Sequence, residues 1–174
     1  MTKFLPILLL AYGLAISTDN IYENSWALII GIDKYQNVQG LDYAVKDAQS
    51  IQNIIINSLD FSKDNITILK NEEATKSRII QEFSNITKKA EVNDRVLIFF
   101  AGHGKTEDLP GGGEIGYLLP VDGDQSDLYV SAIEMNELQT ISLRSKAKHI
   151  LYLVDACYGG ISTVGARGLD SDVT

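Results

Sequence analysis

Apolar runs and amphipathic segments alternate along this chain. Ser25-Trp-Ala-Leu-Ile-Ile-Gly-Ile-Asp33 is almost continuously apolar, the pattern of a strand covered on both faces of a parallel sheet. A polar loop over 33–37 follows. Between 41 and 59 the apolar residues fall at Leu41, Ala44, Val45, Ala48, Ile51 and Ile55, which predicts a helix with one buried stripe. A strand is expected over 64–69. A second helix is expected over 75–90, capped by Thr75 and buried through Ile79, Ile80, Phe83 and Ile86. The run from Arg95 to Gly104 is the next strand. Residues 105–116 are polar and glycine-rich, with Gly111-Gly112-Gly113 at the tip, and predict a mobile loop. After an extended piece over 117–121, Ser131-Ala-Ile-Glu134 has the form of a capping box that opens a third helix to about 143. Ile150-Leu-Tyr-Leu-Val154 closes the set as a central strand buried on both faces.

Strand and helix in alternation predict an α/β fold: a three-layer sandwich, its largely parallel central sheet covered by helices on both faces. Two of the strands end in reactive side chains. One finishes Phe100-Ala-Gly-His-Gly104, the other Val154-Asp-Ala-Cys-Tyr-Gly159, and 54 positions separate His103 from Cys157. If these strands lie side by side and parallel, imidazole and thiol leave the sheet at its carboxyl edge, where open α/β sheets collect their chemistry. A thiol beside an imidazole suits nucleophilic catalysis, the thiolate attacking and the imidazole managing the proton. A solitary cysteine is in most proteins a small buried hydrophobe. Here it shares with the histidine a strand-end position next to glycine.

Composition narrows the partners. An apolar fraction of 45% over 174 residues supports one domain with a core. A net charge of −8 argues against nucleic acid as a partner. Residues 1–17 form a separate unit: Lys3, an apolar run over 4–16, then Ala15-Ile16-Ser17 with small residues where a signal peptidase reads. The expectation is a cleaved signal peptide and a secreted or periplasmic protein. The apolar run is short for a stable membrane span, and an uncleaved N-terminal anchor is the alternative. Cys157 is the only cysteine, so export would leave an unpaired thiol in an oxidising compartment, which favours a use for it.

With these residues assembled, the chain resembles the caspase-like cysteine peptidases, closest to metacaspases and their bacterial relatives. The likeness rests on Ala27-Leu-Ile-Ile-Gly-Ile-Asp-Lys-Tyr35, Ala44-Val-Lys-Asp-Ala48, Phe100-Ala-Gly-His-Gly104 and Asp155-Ala-Cys-Tyr-Gly159. It implies a catalytic large-subunit domain over 25–161, with Cys157 as nucleophile and His103 as general acid and base. The backbone N–H groups of Gly104 and Cys157 would form the oxyanion hole. Asp47 and Asp155 would line the first specificity pocket, for cleavage after Arg or Lys. Legumain-like and gingipain-like hydrolases share the His-Gly and Ala-Cys elements, and a non-catalytic caspase-like binding or regulatory module is a further alternative.

The chain departs from the family pattern in three ways. Ser131-Ala-Ile-Glu134 stands where many metacaspases have paired aspartates, so no metal or other cofactor is expected; calcium activation, which the resemblance would allow, is left without its usual carboxylates. Asp122, Asp124 and Asp127 are close in sequence but have the look of solvated loop carboxylates. Ala44 replaces a frequent pocket cysteine. Four core strands are found where caspase folds have about six, so the small-subunit strands are expected to be absent and a separate small subunit becomes a candidate partner beside basic peptide substrates. Residues 162–174 read as a loop or processing segment, in which Arg167, flanked by Gly165 and Gly168, suits self-cleavage by an arginine-preferring enzyme.

Overall fold

The side-chain alternation of the first and third strands decides the layering. In a computed structural model that describes residues 21–157, the elements run β1 (Ser25–Gly31), α1 (Ala44–Ser58), β2 (Ile66–Lys70), α2 (Lys76–Lys89), β3 (Arg95–Asp108), β4 (Glu114–Leu118), α3 (Leu128–Ser131), β5 (Ile133–Glu134), α4 (Met135–Ser142) and β6 (His149–Cys157). Successive strand residues point to opposite faces. On one face Leu28, Ile30, Val96, Ile98 and Phe100 pack with Ile79, Phe83 and Ile86 of α2 and Leu138 of α4. On the other, Ala27, Ile29, Leu97, Phe99 and Ala101 pack with Ala44, Ala48 and Ile55 of α1. This is the expected three-layer sandwich. Each fully buried Leu, Ile or Phe in it contributes about 1.5–3 kcal/mol.

The sheet is mixed. β2, β1, β3 and β6 lie in that order and all parallel, with Ala27 opposite Ile66, Ser25 opposite Arg95, and Arg95 opposite His149. β3 outruns its parallel neighbours. From Gly104 onward it pairs antiparallel with β4, and β4 pairs antiparallel with β5. His103 therefore sits where β3 changes partners.

Three sequence expectations change here. Residues 105–116 form a β-hairpin rather than a mobile loop. Its turn is closed by bonds from Leu109 N to Gly113 O and from Gly112 N to Leu109 O, both 2.9 Å, with φ of 87° at Gly112 and 94° at Gly113 that only glycine adopts cheaply. The buried Tyr117 hydroxyl donates to Glu107 across it at 3.0 Å. The capping box at 131–134 does not form. Ser131 ends α3 and spends its hydroxyl on the carbonyls of Asp124 and Asp127, while 133–134 is a short strand and the helix starts at Met135. Finally, among the described residues, β6 is covered on one face only. Ile150, Tyr152, Val154 and Ala156 pack on the α2 and α4 side, whereas Leu151 is 52% exposed and Leu153 37%.

The amino ends of the strands are fastened by Asp94, which is 1% exposed. Its carboxylate accepts four hydrogen bonds, from Asn24 N (2.9 Å), Asn24 Nδ2 (3.0 Å), Trp26 Nε1 (2.9 Å) and Glu91 N (3.0 Å). Its carbonyl accepts Lys148 N at 2.9 Å just before β6. Burial, the largest influence, pushes this carboxyl toward a higher pKa. The donors outweigh it and hold the group below the usual aspartate value.

Candidate active site

The loop between β1 and α1 arches over the carboxyl end of β3, and Asp33 holds it there. The Asp33 carbonyl accepts Leu41 N at 2.8 Å, closing the loop. Its carboxylate accepts Ala44 N at 2.8 Å and Val45 N at 3.4 Å, so an anion from outside the helix caps the first turn of α1. Asn71 Oδ1 takes the N–H groups of Asp33 and Lys34 at 2.9 and 3.0 Å and fixes the loop from the β2 side.

Two members of this loop grip His103. Gln39 O lies 2.8 Å from Nε2. A carbonyl only accepts, so Nε2 carries the proton and Nδ1 of the neutral ring keeps the lone pair. The Tyr35 hydroxyl oxygen accepts the backbone N–H of His103 at 2.7 Å, and the two rings lie 4.8 Å apart at 45°. Gly102 makes this approach possible, since a Cβ there would fall 2.5 Å from the Tyr35 oxygen. Burial, eased by the His103 N–H and reinforced by the Asp33 charge, pushes the Tyr35 phenol up to about 12, so it stays protonated at any physiological pH. On the other side of the strand, Leu119 N donates to His103 O at 2.9 Å.

The β3–β6 register sets His103 directly opposite Cys157 and Ala101 opposite Asp155. Cys157 is the last described residue and enters the site through this strand position. A cavity of about 390 Å³ opens beside the pair, lined in part by His103, Asp47 of α1 and Asp155 of β6. Residues 47, 103 and 155, far apart in sequence, thus share one pocket. Asp42 and Tyr43 line it too and were not anticipated, and neither were Tyr35 and Gln39. The polar loop over 33–37 was the available signal for Tyr35, though its direction over β3 was not readable, and the sequence pattern did not single out Gln39, Asp42 or Tyr43. A larger groove of about 470 Å³ lies between α2 and α4, away from the cysteine and histidine. Gly104 is the first residue of the antiparallel part of β3, opposite Leu118. Arg167, the 1–17 segment and the 162–174 segment lie outside the described residues.

The loop carboxylates are committed elsewhere. Asp122 accepts Lys76 N at 2.9 Å at the start of α2, Asp124 accepts Ser126 N and Oγ at 2.8 Å, and Asp127 accepts Val130 N at 3.3 Å. Among the described residues, no group of three or more His, Cys, Asp or Glu gathers as a cation site would require.

An α/β sandwich with histidine and cysteine on adjoining strand ends is the arrangement of a caspase-type domain. Residues 24–173 match the sequence profile of the caspase domain, and the chain belongs to that family. It is 30% identical over 159 residues to Metacaspase-1 of Saccharomyces cerevisiae, covering 82% of this chain and 36% of that protein. Metacaspase-1 of Eremothecium gossypii is 29% identical over 152 residues, covering 79% and 32%. The chain therefore spans about a third of the length of these curated relatives. A crystal structure of a Geobacter sulfurreducens protein superposes with a TM-score of 0.66 at 19% identity, over 79% of this chain and 52% of that one, a likeness of fold.

Proposed function

We propose that this domain is a cysteine endopeptidase that cuts after Arg or Lys, with Cys157 as nucleophile and His103 as general acid and base. The observation that carries the reading is the pairing of His103 with Cys157 beside a pocket that His103, Asp47 and Asp155 line together. The thiol proton passes to Nδ1 of His103, and the thiolate forms a C–S bond to the substrate carbonyl carbon. The N–H groups of Gly104 and Cys157 receive the developing oxyanion. On collapse the C–N bond breaks and the imidazolium protonates the leaving amine. Water, deprotonated by the same imidazole, then releases the acyl group and restores the thiol. The sequence requires no redox partner or metal. Asp47 and Asp155 supply carboxylates for a guanidinium or ammonium in the first specificity pocket. The apolar segment before Ser17 supports export as the setting.

A second reading, a non-catalytic caspase-like module, draws on the exposed Leu151 and Leu153 face of β6. The experiment that separates the two is labelling by an arginyl acyloxymethyl ketone. The peptidase reading expects covalent modification at Cys157, blocked by excess arginyl peptide and absent with an aspartyl probe. No labelling of Cys157, or equal labelling by both probes, would defeat it.

A further inference from the structure

The acyl-transfer steps above do not call on Tyr35, yet its contacts converge on the backbone and ring of His103. Its ring lies 4.8 Å from the His103 ring, and its hydroxyl oxygen accepts the His103 backbone N–H at 2.7 Å. The space it occupies is reserved by Gly102. Tyr35 is itself fixed, because Gln36 N donates to Val121 O at 3.0 Å and the Tyr35 side chain packs against both the core cluster that includes Val121 and the smaller one that includes Leu119. His103 has need of such support. It is half-exposed at the point where β3 leaves its parallel neighbours, and the Gln39 carbonyl alone would leave the ring free to tilt about one hydrogen bond.

We propose that Tyr35 is a positioning residue for His103, which locks the backbone and ring plane so that Nε2–H stays on Gln39 O and Nδ1 keeps its lone pair for the thiol proton. The kinetic consequence rests on the peptidase reading, but the positioning itself is observable without any substrate. The charged groups around the imidazole are Asp42, Asp47 and Asp155 in the shared pocket and Asp33 behind Tyr35, and the Tyr35 variants leave all four in place.

The test compares wild type with Tyr35→Phe and Tyr35→Leu in the full chain. The chain holds only two histidines, so histidine-selective isotope labelling gives two imidazole systems, and His149→Gln assigns them. In wild type, His103 should show a protected, hydrogen-bonded Nε2–H. In Tyr35→Phe, which keeps the ring, that signal should lose protection, and in Tyr35→Leu it should vanish. Alkylation of Cys157 by iodoacetamide at pH 7 should slow by about tenfold in Tyr35→Phe, a modest share of what a misplaced catalytic group loses. Its pH midpoint should move upward, and kcat for an arginyl peptide should fall with KM unchanged. A merely structural tyrosine would lower the melting temperature and leave the Nε2–H signal and the alkylation profile as in wild type, and that result overturns the proposal. Should Tyr35→Leu fail to fold, the Phe variant decides. Should wild type neither hydrolyse arginyl peptides nor show an activated thiol, the peptidase reading falls, while the Nε2–H signal still decides the role of Tyr35.

Discussion

Replacing Asp94 by Asn tests whether the fastening at the amino end of the sheet is electrostatic and directional, as its geometry implies. The carboxylate faces four donors: Asn24 N and Nδ2 on one oxygen, Trp26 Nε1 and Glu91 N on the other. An amide keeps one accepting oxygen and turns the other into a donor. If the new NH₂ faces Trp26 and Glu91, two donors lose their partner. If it faces Asn24, the Asn24 amide can flip to accept, and only the Asn24 backbone N–H is stranded. Each stranded donor costs about 1–3 kcal/mol, and exchanging ionic for neutral acceptance weakens the remaining bonds. The expected loss is about 3 kcal/mol, or about 6–12 °C in melting temperature for a domain of this size. Asp94→Ala strands all four donors and should cost more.

Urea unfolding at fixed pH is the assay, followed by circular dichroism and by the fluorescence of Trp26, the only tryptophan. The pH dependence has a definite sign. Because the folded-state pKa of Asp94 lies below the usual value, its contribution is complete above about pH 4 and is lost as pH falls through the folded value. The gap between wild type and Asp94→Asn should therefore be level from neutral pH down to about pH 5 and should narrow below about pH 4. A variant within about 0.5 kcal/mol of wild type at pH 7, or a gap that widens in acid, would refute the reasoning.

The other predictions concern the site. Cys157→Ala should abolish hydrolysis of arginyl peptides with an unchanged circular dichroism spectrum, and His103→Ala should be nearly as damaging because the two act as a unit; near-normal turnover in either would end the mechanism. Asp155 is exposed, so its pairing with a guanidinium is partly solvated, and Asp155→Ala should cost about 1–3 kcal/mol of transition-state binding for arginyl substrates, measured as kcat/KM. A variant that retains arginyl activity would remove Asp155 from the pocket's recognition. Gly102→Ala would set a methyl 2.5 Å from the Tyr35 oxygen and 3.0 Å from the Phe100 ring, an overpacking of about 1–3 kcal/mol seen as a lower melting temperature. A Tyr35→Phe background should relieve part of that loss, and equal losses in both backgrounds would contradict the close approach. We also propose self-cleavage after Arg167: mass spectrometry should find the 167–168 bond cut in wild type and intact in Cys157→Ala, and cutting in both would rule it out.

The parts of this fold that were legible in sequence are those where burial dictates residue type over a whole element. β1 and the first half of β3 are apolar because both faces are covered, and α1 and α2 carry their stripes because each lies on one face of the sheet. β6 reads the same way in sequence, yet its Leu151 and Leu153 are uncovered among the described residues, because an apolar run does not say how many of its faces are packed. The hairpin was hidden for the opposite reason. Lys105, Thr106, Glu107 and Asp108 have no core to face, and they are held in a strand by pairing with β4. In the site, His103 stood out because a reactive group followed an apolar run, whereas Asp47 and Asp155 were reached only through the family resemblance. Tyr35 and Gln39 did not stand out, since their partner lies more than sixty positions away and the contacts use backbone atoms of His103 or Gln39.

The alignment of histidine with cysteine is decided far from either. In a strand, a slip of one residue exchanges its two faces. A one-residue shift of β6 against β3 would turn Ile150, Tyr152, Val154 and Ala156 out of the α2 and α4 core, bring in Leu151, Leu153 and Asp155, and move residue 157 off residue 103. The bond from Lys148 N to Asp94 O opposes the same slip at the other end of the strand. The Tyr152 hydroxyl, donated to Leu138 O at 2.9 Å, opposes it midway. Core packing thus sets which residues meet at the carboxyl edge. The loop from Asp33 to Tyr43 sets how the imidazole is held and what lines the pocket beside it. Because the two tasks fall to different segments, substitutions at Asp42 or Tyr43 can change what the pocket accepts without disturbing the register that brings His103 and Cys157 together.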